Sequence, residues 1–62
     1  MIPRAVEVQT ADGGWIAAEA VSEVEPTHVD GRKVHDFPVI WVRFEGGGWM
    51  PWPVESVREV KP

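Results

Sequence analysis

Phe37-Pro38-Val39-Ile40-Trp41-Val42-Arg43-Phe44 is the stretch whose reading decides the fold. Val39, Ile40, Trp41, Val42 and Phe44 are β-branched or aromatic, the residue classes that suit a pleated, half-buried surface. Ile40, Val42 and Phe44 fall on one side, and Trp41 and Arg43 on the other. That two-residue period is the mark of a strand.

Working outward toward the N-terminus, Val29-Asp30-Gly31-Arg32 reads as a two-residue hairpin turn. It pairs Val29 with Arg32 and Thr27 with Val34. Before it, Trp15 to Val24 alternates, with Ile16, Ala18 and Ala20 on one face and Trp15, Glu19 and Glu23 on the other. The Ala-rich part, Ala17 to Glu25, is also readable as a short helix, although the hairpin signals on both flanks argue against that. Asp12-Gly13 turns the chain again, and Arg4 to Gln9 forms the first run, with Val6 and Val8 inward. Toward the C-terminus, Glu45-Gly46-Gly47-Gly48 makes a tight turn and Trp49-Met50 starts a fourth strand. Pro51-Trp52-Pro53 is excluded from any central strand, because neither proline has an N–H to give to a ladder. Val54 to Ser56 is expected to form one 3₁₀ turn, and Val57 to Val60 a short closing strand with Val57 inward.

The register between the second and third runs carries further information. Uninterrupted pairing from the Asp30-Gly31 turn sets Val42 opposite Glu19 and puts a carboxylate on the apolar face. A slip of one residue moves every side chain to the other face. It gathers Ile16, Ala18 and Ala20 with Ile40, Val42 and Phe44, and leaves Glu19 and Arg43 together outside. A break in the ladder near Pro26 or Pro38 is therefore expected, and such a bend lets a short sheet curl.

The chain has 62 residues, enough for a single domain spanning 1–62. It contains no cysteine, which excludes a disulfide scaffold, a thiolate metal site and a cysteine nucleophile. The net charge is -4 and the six basic residues are scattered, the opposite of what duplex nucleic acid selects. Spaced carboxylates fit solubility better than the dense rows of a nucleic-acid mimic. The first residues show no signal-peptide core, and no stretch approaches the ~18 apolar residues of a membrane span. A soluble, cytoplasmic protein without membrane contact is the expectation.

Five short strands, a bent second strand, a glycine turn, then Gly48-Trp49-Met50-Pro51 and Val54 to Val57, come in an order that resembles SH3-like small barrels, including SH3 and Tudor-type domains. The likeness is strongest in the C-terminal third. There, glycine, an aromatic, an apolar residue and proline lead into a 3₁₀ turn and a closing strand. The resemblance implies an all-β, five-stranded SH3-like barrel with Met50 in its core and Pro51 with neighbouring aromatics lining a surface groove. The chain departs from the pattern in having no tyrosine and no acidic loop of the kind that reads proline-rich ligands. The fold therefore transfers further than any ligand.

Four tryptophans in so short a chain are too many for one small core. Trp41 is out of phase with Ile40 and Val42, Trp15 is out of phase with Ile16, and Trp52 sits between two prolines. Surface aromatics concentrate binding energy at protein interfaces. The expected site is thus a protein-binding face of Trp15, Trp41, Trp49, Pro51, Trp52 and Pro53, oriented by Glu19, Arg43 and Glu45. The competing arrangement is a second minor core, with indoles packed on the prolines and the stem of Arg43. A protein partner, or a second copy of the chain, would cover this face. Small phage or mobile-element proteins that act on a host protein share the same shortness and composition.

Narrower chemistries fare worse. A methyl-lysine cage built on Trp41 and Trp49 with Glu19 or Glu45 lacks the loop Tyr and Phe of Tudor-type cages. Stacking of single-stranded nucleic acid on Trp41 and Trp49 works against the net charge. His28 and His35 fall on non-adjacent rungs, a strained pair for zinc, and read as solvated loop residues. Thr10, Ser22, Thr27 and Ser56 sit in no nucleophile elbow, and Gly46-Gly47-Gly48 is followed by no Lys-Ser or Lys-Thr. No enzyme, cofactor or metal is expected.

Overall fold

The computed structural model describes residues 2–60. Strands β1 (Arg4–Gln9), β2 (Trp15–Ala20), β3 (His28–Val29), β4 (Arg32–Lys33), β5 (Val39–Arg43), β6 (Trp49–Pro53) and β7 (Val57–Glu59) follow one another, with a 3₁₀ turn at Val54–Ser56 before the last. The described residues contain no α-helix, so the helical reading of Ala17 to Glu25 is set aside. Five strands make one antiparallel sheet in the order β6-β5-β2-β1-β7, and β3 with β4 make a separate two-stranded sheet. The five-stranded sheet does not close, for no bond joins β6 to β7. No helix among the described residues is long and apolar enough to cross a membrane.

The turns form where glycine permits them. Asp30 and Gly31 both take positive φ, 52° and 77°, the backbone twist that a two-residue hairpin requires. The hairpin pairs His28 with Lys33 and Val29 with Arg32. Beyond it the ladder breaks. One isolated bridge joins Glu25 to Val39, and β2 then pairs with β5 as Glu19 opposite Arg43 and Ala20 opposite Val42. Continuing the hairpin register would have set Glu19 against Val42; the Glu25–Val39 bridge lies three residues off that register and the β2–β5 ladder comes back by two, so the net offset is one residue. The slip keeps the Glu19 carboxylate off the apolar face.

That face carries the core: Val6, Val8, Ala20, Ile40 and Val42 are buried, with Ala18, Phe44, Trp52, Val54 and Val57 packed against them. Two expected core residues stay wet. Ile16 and Met50 are each 44% exposed. Both have the inward phase, but the unclosed sheet leaves parts of its inner face open to water.

Pro51 and Pro53 are accommodated because β6 is an edge strand. Phe44 N–H donates to Gly48 O and Val54 N–H to Pro38 O, which fixes the phase of the β5–β6 ladder. In that phase Trp49, Pro51 and Pro53 occupy rungs whose backbone groups point away from β5. The two missing N–H groups therefore cost no ladder bond, and this edge is blunted against strand addition.

Candidate functional site

The outer face of β2, β5 and β6 collects most of the residues singled out in the sequence. Cross-strand partners share a face, and the rungs run Val39–Pro53, Trp41–Pro51 and Arg43–Trp49, with Glu19 beside Arg43. Trp49 is the most exposed large apolar residue described, at 60%. The Arg43 guanidinium closes on the Glu19 carboxylate through both Nε and Nη2, forming a charged flank next to Trp49.

Three of the singled-out residues lie elsewhere. Trp52 occupies the Ile40 rung and therefore the inner face. Its ring meets Phe44 edge-on, with centroids 5.6 Å apart, and its indole N–H donates to Gln9 O at 3.2 Å. The prolines that flank it suggested an irregular segment, but they sit in a regular edge strand whose alternation sends Trp52 inward. Trp15 points to the outer side over β1 and β7, under the Arg58 guanidinium at 4.0 Å, and Arg58 also reaches Glu7 at 2.8 Å. It forms a separate small patch. Glu45 lies exposed in the β5–β6 turn and joins no ion pair among the described residues.

Beside the outer face the fold builds a groove of about 450 Å³, lined in part by Pro51, with a wall from Lys33 to Phe37 that the sequence did not announce. Its walls are the segment Lys33 to Phe37 on one side and Pro51 and Pro53 on the other, and Val39 contributes to the lining. Val39 is buried although it faces away from the main core. The burial comes from the loop leading into β5, which folds back over the outer face. Phe37 is half exposed at the lip, and Lys33 pairs with Asp36 at 3.2 Å on the rim.

Glu25 connects these parts. Its backbone makes both hydrogen bonds of the bridge to Val39, and its Oε1 accepts from Trp41 Nε1 at 3.1 Å and from His35 Nε2 at 3.0 Å. His35 is thus largely enclosed and partnered rather than solvated. Hydrogen bonding from His35 first, and then from Trp41, holds the Glu25 carboxyl below its ordinary range. Ser22 Oγ takes the Trp41 backbone N–H at 3.0 Å, which fixes the same indole from its other end. The nearest thing to a sequence signal for Glu25–His35 is the hairpin register, which sets His35 opposite Pro26, one residue away.

The indole N–H groups of Trp41 and Trp52 are both committed inside the protein, and there is no tyrosine. The face therefore offers apolar surface, a paired charge and, as its exposed aromatic, the Trp49 indole. No group of three or more His, Cys, Asp or Glu among the described residues is placed to hold a metal. The chain matches no family model, no curated protein and no solved structure.

Proposed function

We propose that this protein is a non-catalytic interaction module that docks a protein partner on the outer face of β5 and β6, on an SH3-like scaffold. Two features support the scaffold: β1 pairs with both the second and the last strand, and a 3₁₀ turn leads into the last strand. The observation that carries the function is Trp49. A tryptophan left 60% exposed beside a proline-walled groove gains more from a partner than from any contact within the chain. Burial of Trp49, Phe37, Pro51 and Pro53 against an apolar element supplies the affinity. The Arg43–Glu19 pair and Glu45 at the rim set the orientation. The module works by binding alone, without cofactor or metal, and in the cytoplasm. A second copy of the chain is a partner of the same kind.

Pull-down from the native cell, wild type beside Trp49→Ala and Phe37→Ala, tests this reading. Both variants should keep the far-ultraviolet circular dichroism of the wild type and lose the same captured protein. Sedimentation equilibrium distinguishes self-association. Capture unchanged by both substitutions, with no self-association, sinks the proposal.

A further inference from the structure

We propose that residues 27–38 form a strap that walls one side of the groove, latched to the sheet by the Glu25 carboxylate, and that release of the strap opens the groove and uncovers Val39 and Trp41 as further docking surface. The functional consequence rests on the docking reading above; the latch does not.

Apart from the packing that buries Val39, little else holds the strap down. Its hairpin, β3 with β4, pairs only with itself, and every residue from His28 to Lys33 is exposed. The Lys33–Asp36 pair is internal to it, and Thr27 O accepts from Val34 N–H and His35 N–H, which folds the strap on itself without tying it to the sheet. A segment with so few buried contacts opens at far less free energy than the core.

The ties to the sheet converge on the base of the strap. The Glu25–Val39 bridge anchors it through hydrogen bonds of 2.7 and 3.1 Å. One oxygen, Glu25 Oε1, then joins a strap residue, His35, to a strand residue, Trp41. A carboxylate donates nothing, so His35 Nε2 carries the proton of that bond. With His35 released, the strap would keep its peptide connections, the two bridge bonds and, at its C-terminal end, the bond from Val54 N–H to Pro38 O. Pro26 and Pro38 bracket the segment, and neither has an N–H with which to extend the ladder.

Amide hydrogen exchange on the full chain, without any partner, tests the latch. His35→Ala removes the strap side of the shared oxygen and leaves Trp41 on Glu25. The Val39 and Val54 amides, whose bonds to Glu25 O and Pro38 O tie the strap to the sheet, should then exchange about tenfold faster, as expected for one lost hydrogen bond, while the Val6, Val8 and Val42 amides do not change. The Trp41 indole proton should stay protected in His35→Ala and lose protection in Glu25→Ala. If Glu25→Ala unfolds, the His35→Ala result decides alone. Strap exchange within twofold of wild type overturns the proposal. So does equal acceleration of strap and core, or global unfolding of His35→Ala, because the strap would then not be a separate unit. No partner enters the measurement, so a failed docking surface and a failed latch give different results.

Discussion

Trp52→Ala is the substitution on which the structural reading is most exposed. In the sequence Trp52 and Trp49 look alike, two residues of one Trp- and Pro-rich segment. In the fold they face opposite sides of β6, and only Trp52 reaches the core. Truncating a packed tryptophan costs about 3–5 kcal/mol. Part of that is the edge-on contact with Phe44, about 0.5–1.5 kcal/mol, and part is the hydrogen bond to Gln9 O, about 1 kcal/mol. A domain of this length has about 3–9 kcal/mol in total, from roughly 0.05–0.15 kcal/mol per residue. Trp52→Ala therefore removes a third or more of the stability and at the lower bound abolishes folding. Trp49→Ala, on a side chain already in water, should stay within about 0.5 kcal/mol of wild type. Urea denaturation followed by circular dichroism at a backbone wavelength is the suitable assay, since tryptophan fluorescence changes with the substitution itself. If Trp52→Ala unfolds within about 1 kcal/mol of wild type, the assignment of Trp52 to the core is wrong, and with it the division of β6 into two faces.

Three further outcomes follow from particular contacts. The Glu25 carboxyl titrates below the ordinary 4.5 in the folded chain, so its contribution to stability is present above that value and fades as pH falls through the lowered one. Urea midpoints measured between about pH 5 and pH 3 should fall more steeply for wild type than for Glu25→Gln, and parallel slopes would contradict the shared-oxygen geometry. Arg58→Ala removes an exposed cation from the Trp15 ring and from Glu7 and should destabilise by about 1 kcal/mol or less in the same urea assay. Gly31→Ala places a side chain at φ 77° and should loosen the β3–β4 hairpin, with faster Val34 amide exchange and an unchanged Val42 amide.

How far the sequence reached depends on the range of the physics involved. Alternation is local, so Arg4–Gln9 and the inward phase of Val6, Val8, Ala20, Ile40 and Val42 were readable from neighbours two residues apart. Asp-Gly turns and the Val54–Ser56 turn are equally local, and both appear where expected. Even the one-residue slip between β2 and β5 was legible, because a charged Glu19 on the apolar face is a local contradiction that only a shift removes. The exposure of Met50 and Ile16 was not legible, because whether a sheet closes over its own inner face is not written in any one strand. Nor was the place of Trp52, whose neighbouring prolines excluded a central strand but did not say that β6 would run regularly along the edge and turn the ring inward.

The sequence by itself determined an all-β chain, its turns, its register and the side from which Trp41 leaves its strand. Tertiary structure alone decided which tryptophans share a surface, that the segment before β5 folds back to bury Val39, and that one Glu25 oxygen serves both His35 and Trp41. The reason is distance along the chain. Periodicity and turn propensity act over two to four residues, whereas the groove and its latch join groups ten to twenty positions apart that only a folded backbone brings within hydrogen-bonding reach.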